Sequence, residues 1–141
     1  MMVITGIGYS IIICTILYGI YTDIKVRKIY NSVPLIIIAV SLFLNVFSDI
    51  NVSYVSASLI LIVGFVLSVF NIWGAGDAKL CFALSLSIPG VNLPAFLLLT
   101  SVIGGVMAIL MLITPRLCGK YKTLPYGIAI GCGYFMNLLT F

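Results

Sequence analysis

Long apolar runs, broken only by short polar stretches, leave this chain few folds to choose from. Six can be traced: Val3 to Tyr21, Pro34 to Phe47, Val52 to Ile72, Leu80 to Ile88, Ala95 to Ile113 and Tyr126 to Leu139. A bilayer crossing takes about 20 apolar residues. With 63% hydrophobic and only 7% charged residues in a chain of 141, little is left over for anything but short loops. The expected fold class is therefore all-α, a polytopic membrane protein of about six transmembrane helices forming one domain over residues 1–141. No basic residue precedes the first run, and no small-residue cleavage site follows it before Asp23. It reads as a permanent span rather than a secretory signal.

The seven basic residues orient the chain, because Lys and Arg mark cytoplasmic loops. Lys25, Arg27 and Lys28 fall in the first loop, Lys79 in the third, and Arg116, Lys120 and Lys122 in the fifth. If the chain crosses at every run, all seven share one side, which puts both termini outside. The fourth run is short, since nine residues at about 1.5 Å each cover well under half of a roughly 30 Å core. It either starts earlier, at Asp77, or ends within the membrane. A five-span chain would separate Lys79 from Lys120, so six spans are expected.

Chemistry is restricted by what is missing. There is no histidine, which removes the commonest general base and metal ligand. The four cysteines, Cys14, Cys81, Cys118 and Cys132, are far apart and form no C-x-x-C pair, so no metal site or disulfide framework is implied and buried, structural thiols are expected. No cofactor and no nucleic-acid partner is called for. That leaves three acids, of which Asp49 falls outside while Asp23 and Asp77 fall at the cytoplasmic ends of spans.

Asp77 stands in Trp73-Gly74-Ala75-Gly76-Asp77-Ala78-Lys79, where two glycines, an acid and a base sit side by side. An acid at a membrane boundary is expensive unless paired, hydrated or used. Two such acids on one face suit an aspartic hydrolase, one protonated to polarise a carbonyl and one ionised to activate water. The plainer alternatives are Asp77 as a helix N-cap and Asp23 as a solvated loop residue beside Lys25 and Arg27. Asp23 follows a helix C-terminus and Asp77 precedes an N-terminus, so Asp23 is expected to be the more readily protonated. Gly74 and Gly76 suit a turn or a close backbone approach to substrate. Lys79 is expected to snorkel to the interface, and Tyr18, Tyr21 and Trp73 to form an interfacial belt. A proton or cation relay in a small transporter, or a role as an assembly subunit, are the competing readings of the two acids.

Gly74 to Lys79 resembles the G-x-G-D-x-K signature of type IV prepilin peptidases, membrane aspartic proteases of the GxGD class. Asp23-Ile24-Lys25-Val26-Arg27-Lys28-Ile29-Tyr30-Asn31 resembles the family's other signature, an aspartate followed after a basic stretch by Ile-Pro-Asn, with Tyr30 replacing the proline. Leu124-Pro125-Tyr126-Gly127 is similar to the Pro-aromatic-Gly stretch that opens the last helix. The resemblance implies removal of a short basic leader from pilin precursors at the cytoplasmic face of a prokaryotic membrane, with Asp23 and Asp77 as the catalytic pair. Longer members add a cysteine-bearing zinc loop and N-methylate the new amino terminus. Without that loop, this chain resembles the short form of Flp or Tad-type pilus systems and archaeal preflagellin peptidases, and methylation is not implied.

Overall fold

The structure, a computed structural model, describes residues 2–26, 29–47, 51–70, 73–113 and 126–140. Asp49, Arg27, Lys28, Cys118, Leu124, Pro125 and the basic stretch 116–122 lie outside them. Among the described residues the chain is wholly helical, with α1 (Met2–Val26), α2 (Ser32–Phe47), α3 (Tyr54–Val69), α4 (Ala75–Ser85), a 3-10 turn at Gly90–Asn92, α5 (Leu93–Ile113) and α6 (Tyr126–Leu138). Helices are what an apolar chain in lipid must form, because only they satisfy every backbone group within the segment. Val3–Val26 and Gly90–Ile113 are each long and apolar enough to cross a membrane, and α2 and α3 are shorter apolar helices.

Most boundaries follow local chemistry. Pro34 and Pro94 both lie in the first turn of their helices, where a missing N–H removes no hydrogen bond. Ser53 caps α3, its hydroxyl accepting the Ser56 N–H at 3.4 Å. The first helix departs from expectation. It does not end at Tyr21 but continues to Val26, so Asp23 lies inside its last two turns and not in a loop. No glycine or proline interrupts this stretch, and the buried Thr22 returns its hydroxyl to the Gly19 carbonyl at 2.9 Å.

The fourth run also differs. It begins at Ala75, directly after the glycine turn, and its helix is only 11 residues long, about 16 Å. It does not need membrane length because it lies inside the bundle. Ala78, Leu80, Cys81, Ala83, Leu84 and Ser85 are buried, as are Leu86, Ser87 and Ile88 beyond it. α2, α3 and α6 surround it.

The remaining packing is by neighbouring pairs, α1 with α2, α3 with α4, and α5 with α6. Small residues on α6 let two helices approach at once. Gly131 faces Ile16 and Ile20 of α1, while Gly133 lies against Thr100 of α5. The spacing Gly127-x-Ala129-x-Gly131 therefore does what a small-residue face does in membranes, letting backbones come close. The outer surface is apolar, with Val3, Val55 and Leu112 between 73% and 80% exposed, whereas Ser41, Ser85, Ser87 and Asn137 are fully or almost fully buried. Cys81 is buried as expected, but Cys14 and Cys132 face outward, where an apolar surround accepts a thiol as readily as the core does.

Hydrogen bonds gather one set of helix termini at one end. Gly90 N–H donates to the Asn51 carbonyl (2.9 Å), the Asn45 amide to the Leu86 carbonyl (3.1 Å) and the Asn137 amide to the Asn92 carbonyl (3.2 Å). Tyr9 donates to the Ser87 carbonyl (3.3 Å), and the Ser87 and Tyr134 hydroxyls pair at 2.8 Å. Asp23, Asp77 and the first residues of α2, α4 and α6 lie at the opposite end.

The α3–α4 contact offers a test of this packing. A Cβ on Gly64 would lie 2.7 Å from the Ala78 Cβ and 3.3 Å from its Cα. Gly64→Ala is expected to destabilise the protein by about 1–3 kcal/mol. Gly105→Ala, with nothing within 4 Å, should be neutral or stabilising, since alanine favours helix by about 1 kcal/mol. Thermal unfolding in detergent separates the two, and equal melting temperatures would contradict the contact.

Candidate active site

Asp23 is buried, with 7% of its surface exposed. A carboxylate in that position needs donors, and one is the backbone N–H of Gly127, which donates to Asp23 Oδ2 at 2.9 Å. Gly127 is the second residue of α6. Its N–H is one of the donors left without an intrahelical partner at a helix start, where the helix dipole also favours negative charge. Glycine leaves room for this contact, because a Cβ would stand 2.8 Å from the same oxygen and displace it. The solvated-loop reading of Asp23 is therefore wrong.

Asp77 repeats the arrangement within one turn. The N-cap of α4 is Gly74, and Asp77 lies three residues further on, in the first turn. Its carboxyl reaches back to the Gly74 N–H, as the third residue of a capping box does. A Cβ on Gly74 would sit 2.6 Å from Asp77 Oδ2. Asp77 is thus not itself the N-cap. Gly74 has φ −72° and ψ 134°, so what glycine supplies here is room for the carboxyl and not a left-handed backbone.

The two acids are near enough for the charge of Asp23 to act on Asp77. Cys81, one turn beyond Asp77 on α4, is fully buried. The premise for splitting their roles by helix ends does not hold. Asp23 lies near the C-terminus of α1, but its carboxylate is bonded to the N-terminus of α6, so both acids meet the positive end of a helix.

The other motif residues join the two signatures together. Gly76 packs against Ile29, whose Cβ would be 3.3 Å from a Cβ at that glycine. Lys79 does not simply snorkel, since its ammonium donates to Asn31 Oδ1 at 3.0 Å. Tyr30, in the place of the signature proline, is half exposed, and its carbonyl accepts the Val33 N–H at 3.0 Å as α2 begins. Tyr18 and Tyr21 face outward as expected, Tyr21 accepting a hydrogen bond from Lys25. Trp73 does not join them. Its backbone N–H donates to the Leu67 carbonyl at 3.4 Å, and its half-buried ring lies against Gly64 and walls two cavities of about 370 and 330 Å³ beside α3 and α5.

Two partners were not derivable from the acids alone, Gly127 for Asp23 and Asn31 for Lys79. The available signal was position, as each closes or opens a stretch whose other members already stood out.

Compared with known families, residues 10–109 match the type IV leader peptidase family. The matched stretch carries both acids, Gly74, Gly76, Lys79 and Asn31, and ends before α6. No curated protein and no solved structure matches the chain. The family match covers 100 of the 141 residues, and it contains every motif residue that the α1–α2 connection and the glycine turn bring together: the chain belongs to the type IV leader peptidase family.

Proposed function

We propose that this protein is an aspartic endopeptidase of the prokaryotic cytoplasmic membrane that removes the basic leader from prepilin-like precursors, with Asp23 and Asp77 as its catalytic pair. The observation that carries this is the meeting of two carboxyls from separate helices at one end of the bundle, each held by a backbone N–H at a helix start. Adjacent carboxyls of this kind titrate as a pair and share a proton between them. The ionised member takes a proton from water as the water oxygen attacks the scissile carbonyl, while the protonated member gives its proton to the carbonyl oxygen. The first member then passes the proton it took to the leaving nitrogen as the C–N bond breaks, and a hydroxyl of the tetrahedral carbon returns a proton to the second as the new carboxyl forms.

Residues 1–141 act as one membrane domain that crosses six times, with both termini outside. Lys25 and Lys79 lie at the same end of the bundle as the acids, and the remaining basic residues belong to the first and fifth connections, so the positive-inside rule puts the acids at the cytoplasmic face. A leader that is itself cytoplasmic and basic reaches that face without crossing the bilayer, and anionic lipid headgroups attract both it and the basic loops. An ion relay fits less well, because transport sites lie near the bilayer midplane and these acids share one edge.

Co-expression with a candidate precursor tests the assignment. Asp23→Asn and Asp77→Asn, at matched protein levels, are each expected to slow leader removal by about 10²-fold or more. Processing that survives both substitutions would overturn the mechanism.

Gly74→Ala and Gly127→Ala provide a test that does not touch the acids. Each new methyl displaces a carboxylate oxygen, and a displacement of about 1 Å costs on the order of 10²-fold in rate. For Gly127, within a helix, the helix preference of alanine, about 1 kcal/mol, offsets part of the cost of moving the buried carboxyl. Lower activity at matched levels of folded protein is the expected signature, whereas wild-type processing by both variants would argue against tight seating of the acids.

Orientation is tested with single cysteines in a background free of native ones. An impermeant maleimide applied to intact cells should label Asn51→Cys and spare Lys120→Cys. The reverse pattern would invert the topology and place the acids on the wrong face.

A further inference from the structure

Asp23 and Asp77 sit on helices that scarcely touch one another. α1 packs on α2 and α6, and α4 on α2, α3 and α6, so the separation of the two carboxyls is set through other elements. On one side, α6 pins Asp23 through Gly127. On the other, the connection between α1 and α2 meets the start of α4 twice, at Ile29 against Gly76 and at Asn31 with Lys79. Lys79 is two residues beyond Asp77, and at 100° per residue the two point about 200° apart around α4. Drawing Lys79 toward Asn31 therefore turns Asp77 toward the opposite side of the helix, into the bundle.

We propose that the Lys79–Asn31 hydrogen bond is a latch that fixes the rotation and position of α4 relative to α1 and so sets the separation of Asp23 and Asp77. Lys79 and Asn31 are positioning residues and touch no reacting atom. This rests on the catalytic assignment of the two acids only for its consequence, and not for the latch itself. Both latch residues are exposed, and an exposed hydrogen bond contributes little to global stability. Its loss should therefore appear in geometry and turnover, not in melting temperature.

Nitroxide labels at Ile24→Cys and Ala75→Cys, both exposed positions on the two helices, report the α1–α4 distance in the full chain in lipid nanodiscs, with the native cysteines replaced. The parent is expected to give one narrow distance distribution. Lys79→Met and Asn31→Ala should broaden or shift it, while Lys79→Arg, which keeps a donor, preserves it. A distribution unchanged by Lys79→Met overturns the latch whatever the activity shows. In the cleavage assay, Lys79→Met and Asn31→Ala should each lower kcat by about 3- to 10-fold, with KM and melting temperature unchanged, and the double variant should be no worse than either single one. Additive losses, or a loss confined to KM, would contradict the latch. Cleavage retained by Asp77→Asn would instead remove the catalytic assignment, a result independent of the label distances.

Discussion

A buried carboxylate must find donors, and in this protein the one on Asp23 finds the open start of α6. Much of the bundle depends on that bond. It lets α1 continue through an acid that would otherwise end the helix or expose it to water, because the anion is compensated where it sits. It also fixes where the last helix begins, since the Gly127 N–H is an orphan donor only at the first turn. α6 in turn carries the small residues on which α1 and α5 both close. The acid, the helix start and the small-residue face are thus one device, with Gly127 belonging to all three.

The second consequence concerns α4. In a lipid-exposed helix, 11 residues would leave polar backbone inside the bilayer. Here α2, α3 and α6 surround it, and the Ser87–Tyr134 and Asn45–Leu86 hydrogen bonds close its far end. A short helix enclosed in this way places its first turn, with Asp77, at one end of the bundle while its last turn is sealed among the helix termini of the other. That end is also where α1 finishes and α6 starts. Among the described residues the outer surface is mostly apolar, and the exposed Ser10, Ser58 and Ser101 return their hydroxyls to carbonyls one turn back.

The parts of this arrangement that were legible in the sequence are those set by local chemistry. Apolar runs located all six helices, and Tyr126 to Leu139 differs from α6 by a single residue. Positive charges and rare acids pointed to Asp23 and Asp77 as a pair. What was not legible depends on partners distant in the chain. Nothing near Asp23 says that the helix continues to Val26, because the donor that permits it stands 104 positions away. Trp73 resembles any interfacial tryptophan until Gly64 provides a place for its ring. Cys14 and Cys132 resemble Cys81 in composition and differ only in which side of a helix faces the bundle. Lys79 reads as a snorkelling lysine because its acceptor, Asn31, belongs to the other signature.

The glycines show why a motif can be conspicuous for a reason other than the one its residues first suggest. Two glycines before an acid invite an explanation by backbone freedom, or by close approach of a substrate. Gly74 has neither a positive φ nor any need of one. Its missing side chain is what lets the Asp77 carboxyl fold back onto its own N–H, and Gly76 leaves space for Ile29 from the other signature. Gly127 does for Asp23 what Gly74 does for Asp77. In each case a carboxyl lies against a helix start at a distance that any larger residue would occupy. Two carboxyls from separate helices are thereby each seated on the backbone N–H of a helix start, at the same end of the bundle.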